Sequence, residues 1–189
     1  MVSSIFRLSS IVVAIALLFG CGGTVKEGAT FGAYSFPSGK GGQVIDPSFT
    51  ATEGDMFQIT GSKTVVVTAL GVEHADPTQT DRQVAIVDTS GNILATTVIS
   101  TSDNLVEGYH YKSITPISLT PGKQYFVGEL HIAGTQDFYI WNTNVASTPS
   151  YIQDIGTCYG GLIQTGMGFS TPGTPRHYSA SFLSHQIGI

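Results

Sequence analysis

Cysteine is nearly absent from this chain of 189 residues, which holds only Cys21 and Cys158. A disulfide framework of the kind that staples small secreted domains is therefore excluded, since at most one bridge could form. Charge is scarce as well. Lys and Arg number 8 and Asp and Glu 13, so charged residues make up 11% of the sequence. The cations are scattered singly, which argues against nucleic acid and against an electrostatic hold on an anionic leaflet, because both need clustered Lys and Arg. Trp141 is the single tryptophan. Long apolar runs are missing too: the longest, Ile11 to Phe19, has nine residues, roughly half of the ~20 that a membrane-spanning helix requires. No amphipathic helix of convincing length can be drawn, and no period of 20 to 50 residues recurs, which excludes a propeller or solenoid.

What remains is β-rich. From Asp55 onward, short runs of Val, Ile, Thr, Tyr and Phe alternate with turn residues, the pattern of half-buried strands. The strands expected are Met56 to Thr60, Thr64 to Gly71, Gln83 to Val87, Ile93 to Ser100, Tyr109 to Ile117, Gln124 to Ile132, Phe138 to Trp141 and Tyr178 to Leu183. Asp88-Thr89-Ser90-Gly91-Asn92 reads as a hairpin loop, and Thr120-Pro121-Gly122-Lys123 sets Pro and Gly where a type II turn wants them. The fold expected is all-β, an antiparallel two-sheet β-sandwich of jelly-roll or immunoglobulin-like type.

Arg7, the apolar run Ile11 to Phe19 and then Leu18-Phe19-Gly20-Cys21 form a charged, an apolar and a small-residue region in the order of an export signal. This arrangement resembles a bacterial lipoprotein signal. The resemblance implies removal of residues 1–20, a lipid on the sulfur of Cys21 and a membrane anchor at that point, with Gly22 favouring the outer membrane or outer surface. Without residues 1–20 the side chains comprise seven Lys and Arg against thirteen Asp and Glu, a net −6. Residues 21–45, with Gly22, Gly23, Gly28, Gly32, Gly39, Gly41 and Gly42, read as a Gly-rich tether carrying at most one edge strand, and 46–189 as one β-sandwich domain.

Between Gly54 and Phe182 the chain also resembles a family of secreted bacterial β-sandwich domains of unknown function, often found with a carboxy-terminal sorting tail. The residues concerned are Gly54 and Phe57, Val65 to Val72, Val84 to Asp88 with Gly91 and Ile93 to Ala95, Gly108 to Tyr111, Pro116 to Leu119 with Pro121 and Gly122, Tyr125 to Gly128, and Tyr178 to Phe182. All are packing or turn positions, so the resemblance implies a fold and carries no catalytic site.

Three constellations bear on chemistry. Cys158 with His131 or His177 would form a nucleophilic pair of a hydrolase, although Thr157-Cys158-Tyr159-Gly160-Gly161 offers neither a helix amino terminus nor a cation to activate the thiol. Glu73, Asp76 and Asp81, with His74 between them, gather oxygen ligands in one loop, of the type calcium takes, at a spacing that matches no recognised calcium loop. Solvated turn residues explain that group as well, and no cofactor is expected. Tyr139 and Trp141 share one face of a strand beside Asn142 and Asn144, and Tyr109 and Tyr111 share another, so the six would make a sugar-stacking platform unless they pack in the core. The segment 142–177, rich in glycine, reads as a mobile excursion. The expected function is a lipid-anchored, non-enzymatic module that binds glycans or another envelope component. The alternatives are a hydrolase at Cys158 or the Glu73 to Asp81 loop, and a structural lipoprotein contacting other envelope proteins.

Overall fold

The computed structural model describes residues 30–34, 43–45, 50–73, 80–135, 137–139, 148–173 and 180–187. Among them there is no helix, and two five-stranded antiparallel sheets pack face to face as a β-sandwich. In chain order the strands are β1 (Phe31–Gly32), β2 (Gln43–Ile45), β3 (Ala51–Ile59), β4 (Val65–Glu73), β5 (Arg82–Asp88) and β6 (Ile93–Ile99). They continue as β7 (Asn104–Val106), β8 (Tyr109–Leu119), β9 (Gln124–His131), β10 (Asp137–Tyr139), β11 (Ile152–Gly160) and β12 (Ala180–Gln186). One sheet runs β1-β12-β4-β8-β7 and the other β11-β3-β9-β5-β6, while β2 and β10 form a separate pair.

Period-two alternation sets what each strand buries. On β3, Phe57 and Ile59 turn inward, as do Tyr125 and Val127 of β9 and Val84 and Ile86 of β5, to meet Val65, Val67, Leu70 and Val72 of β4 and Phe182 of β12; Phe57 and Tyr125 are direct register partners. Phe57 and Phe182 join the two sheets, their ring centroids 4.9 Å apart and both fully buried. Burial of a side chain of this size contributes roughly 2–3 kcal/mol by area.

The opposite face of the second sheet carries a smaller core. Met56, Ala85, Val87, Phe126 and Cys158 are buried there, covered by Met167 and Phe169. The covering turn is pinned to the Asp88–Asn92 hairpin, where the Gly166 N–H donates to the Gly91 carbonyl at 2.9 Å. Gly91, at φ +82°, leaves no room for a Cβ beside the Met167 carbonyl. The segment 142–177 is therefore no simple excursion: its middle is a nine-residue strand, β11, followed by this apolar cap.

Within 21–45 the edge strand expected is β1, paired with β12, but a second strand, β2, pairs with β10, and Ala33 and Tyr34 are fully buried in the main core. Apolar burial of these two side chains outweighs the flexibility that the surrounding glycines suggest.

Candidate functional site

The inner face of the second sheet changes character along its strands. Beyond Phe57 and Tyr125 the same alternation that buries apolar side chains turns Asp55 and Glu53 of β3 inward, with Glu129 and His131 of β9 and Arg82 of β5. Glu53 and Glu129 are direct register partners, two carboxylates side by side on neighbouring strands. Asp55, Glu129, Arg82 and His131 are at most 2% exposed and Glu53 is 5%. Like charges placed opposite one another repel, and burial multiplies the cost unless a counter-charge lies close.

A guanidinium and an imidazole lie against these carboxylates. His131 Nε2 lies 3.5 Å from Glu53 Oε2 and 3.6 Å from Glu129 Oε1, and Arg82 Nε lies 3.9 Å from the other oxygen of Glu129. Arg82 also donates from a terminal nitrogen to Thr80 Oγ1 at 2.7 Å, and the Thr157 hydroxyl of β11 donates to Asp55 Oδ1 at 3.0 Å. Three carboxylates, a guanidinium and an imidazole thus form one enclosed cluster. Buried ionisable groups concentrated in this way mark a candidate site, because a core built for stability alone uses apolar side chains there. Among the described residues, no group of three or more His, Cys, Asp and Glu is arranged to hold a metal ion.

Tyr109 ties the cluster to the first sheet. Burial pushes its phenol well above the ordinary value, and Tyr111, Asp55, Glu73 and Tyr34 nearby push it further in the same direction. Tyr109 and Tyr111 therefore correct the sugar-platform expectation: both are buried, their rings 5.9 Å apart. Tyr111 lies across Gly71, its partner on β4, where a Cβ would come within 2.3 Å of the ring. Its hydroxyl donates to Ser181 Oγ at 3.0 Å, so neither ring is free to stack on a sugar. Tyr139 ends β10, and Trp141, Asn142 and Asn144 lie outside the described residues.

The calcium expectation changes as well. Glu73 is 6% exposed and sits near Tyr109, whereas Asp81 is exposed, so these two do not share a solvated loop. Asp76 and His74 lie outside the described residues.

The expected thiol pair is separated by the sheet itself. Cys158 pairs in register with Gly54 and points into the outer apolar core, while His131 belongs to the inner face. Burial pushes the thiol up to about 11, with Asp55 adding to the rise, the opposite of what a nucleophile needs. His177 lies outside the described residues.

Glu53, Asp55, Arg82 and Glu129 were not singled out by the sequence, and His131 only as a partner for Cys158. The signal was available: Glu53-x-Asp55-x-Phe57-x-Ile59 and Tyr125-x-Val127-x-Glu129-x-His131 place ionisable and apolar side chains on one face by alternation. No protein-family model matches the chain, and no curated protein matches it in sequence.

Proposed function

We propose that this is an exported lipoprotein, held at the outer membrane or outer surface of a bacterial envelope by lipid on Cys21. Its β-sandwich serves as a non-catalytic binding or structural module. The observation that carries the reading is the sequence Ile11 to Cys21, an apolar run too short to span a bilayer that ends on the small residue and cysteine of a lipidation signal. A sealed thiol at Cys158 agrees with a role other than thiol hydrolysis. Glycans or another envelope component are the ligand class, with Tyr139 and Trp141 as the aromatic pair that would meet a sugar. In the structural alternative, exposed Leu105, Leu162, Val98 and Ile132 are the side chains that a partner protein would cover.

The test is metabolic labelling with an alkyne fatty acid, followed by membrane fractionation of the full chain and of Cys21→Ala. Label and membrane association should both vanish in the variant; retention of either would remove the lipid anchor. A glycan array with the full chain and Trp141→Ala tests the ligand class. Binding abolished in a folded Trp141→Ala supports glycans, and binding by neither protein removes them.

A further inference from the structure

The direction in which the chain enters the sandwich can be read from its shortest strand. Phe31 pairs with Ser184 and Gly32 with Leu183, so β1 runs toward Ala180, where β12 begins. The register continues across the sheet. Gln186 lies beside Val65 and Val65 beside Leu119, whereas at the other end Ala180 lies beside Val72 and Tyr109 beside Glu73. The backbone before Phe31 is therefore directed from the end of the sandwich where β3 and β8 finish and β4 and β9 start.

That end is closed by turns tied to one another. The Gly122 N–H donates to the Ile59 carbonyl at 2.8 Å, the Ile59 N–H to the Lys123 carbonyl at 3.0 Å, and the Ile187 N–H to the Thr64 carbonyl at 3.0 Å. Lys63 and Lys123 stand exposed on two of these turns, and they are two of the four Lys and Arg among the described residues. The carboxylate that shares this end, Asp88, accepts from the Ser90 and Asn92 N–H groups and from the Asn92 side-chain amide. The opposite end is acidic. Asp81 and Glu107 are exposed there and Asp103 is half-buried, while Arg82 beside them is 1% exposed.

Phe31 follows Cys21 by ten residues. A chain of that length spans at most ~35 Å, close to the ~30 Å of a nine-residue strand such as β4. A lipid on Cys21 thus keeps the sandwich within about one domain length of the bilayer.

We propose that the Lys63 and Lys123 end of the sandwich faces an anionic bilayer, a reading that rests on the lipid anchor at Cys21 proposed above. The lipid supplies the attachment, and the direction of β1 brings this end nearest to it. Two lysines are too few to hold a domain on a membrane. They attract anionic head groups while the acidic end is repelled, and within a Debye length of ~8 Å that difference sets which end turns inward. The ionisable cluster around Glu129 lies toward the acidic end, so it faces away from the membrane.

The test uses the full chain in its acylated form, on vesicles of phosphatidylcholine and phosphatidylglycerol that carry a nitroxide quencher on some head groups. A fluorophore is attached at Ser62→Cys or, separately, at Leu105→Cys; both positions are exposed, one at each end, and the native Cys158 is buried. Folding is confirmed by circular dichroism. Quenching should be several-fold stronger at Ser62→Cys than at Leu105→Cys, and Lys63→Gln with Lys123→Gln should lower that ratio. Equal quenching, or stronger quenching at Leu105→Cys, would overturn the orientation, and a ratio unmoved by the lysine changes would overturn their part in it. Vesicle flotation separates this from the anchor itself. A chain that does not float, or floats equally with Cys21→Ala, fails the lipid reading and the orientation with it, whereas one that floats through Cys21 with equal quenching fails the orientation alone.

Discussion

The two halves of one sheet face make the most instructive comparison in this molecule. On β3, β9 and β5 the same alternation and the same ladder bury Phe57, Tyr125, Val127 and Ile86 in one half and Glu53, Glu129, His131 and Arg82 in the other. Backbone geometry does not distinguish them, so the difference lies in what burial costs each side chain. The apolar half gains roughly 25 cal/mol for each Å² removed from water. The ionisable half gains stability only while its charges stay matched, and losing one member exposes the desolvation cost of the rest. The first half accounts for why the domain folds, and the second is the part that a requirement for stability does not explain.

Breaking the charge match should produce the largest effect. Arg82→Met leaves Glu129 buried without its guanidinium and should lower stability by about 3–5 kcal/mol in urea unfolding. Phe57→Ala, on the apolar half, opens a cavity against Phe182 and should cost about 3–4 kcal/mol. The two losses differ in kind: a small apolar additive that fills the cavity should recover part of the second and none of the first.

Alkaline pH sharpens the comparison from the side of the neutral groups. Cys158 and Tyr109 both have folded-state values raised above the ordinary 9.0 and 10.0. The folded protein therefore keeps those protons when the unfolded chain has released them, and stability must fall as pH rises through that interval. Thermal melts should change little with these groups below pH 9, fall between 9 and about 11 as Cys158 titrates, and fall further above 10 as Tyr109 does. Tyr109→Phe should make the last part of the decline shallower, the remainder belonging to Tyr111 and Tyr151, whose phenols burial also raises.

The smallest effect concerns the β7–β8 turn. Glu107 is the only non-glycine residue at positive φ among the described residues, at 49°, and Gly108 follows at 91°. Glu107→Gly should relieve the left-handed conformation at the expense of unfolded-chain entropy, and Glu107→Asn should stabilise by a few tenths up to about 1 kcal/mol, read as a rise in melting temperature.

How much of this was legible in the sequence depends on whether the determining contact is local. The hairpin around Gly91 and the strands expected at Thr64 to Gly71 and Gln124 to Ile132, found as Val65–Glu73 and Gln124–His131, announce themselves by turn chemistry and alternation, and the sandwich follows from them. Strand β11 was not legible because Ile152-Gln153-Asp154-Ile155-Gly156 carries polar residues, a glycine and a register shift between Asp154 and Gly156, so its alternation is broken. Strand β1 has two residues and owes its place to β12, about 150 positions away in the chain. For Tyr109 and Tyr111 the shared strand face could be read, but not that this face is covered. The ionisable cluster was written in the alternation, yet an inward-facing Glu is recognisable only once its counter-charges on other strands are in place.

A double-mutant cycle tests the central claim, that the ionisable half is a mutually compensated unit. Urea unfolding would be measured for the parent, Arg82→Met, Glu129→Leu and the combination. The account predicts that each single variant is strongly destabilised and that the double variant recovers a large part of the loss, a coupling of at least about 1–3 kcal/mol. Losses that simply add would contradict it, and would make Arg82 and Glu129 two independently tolerated buried charges.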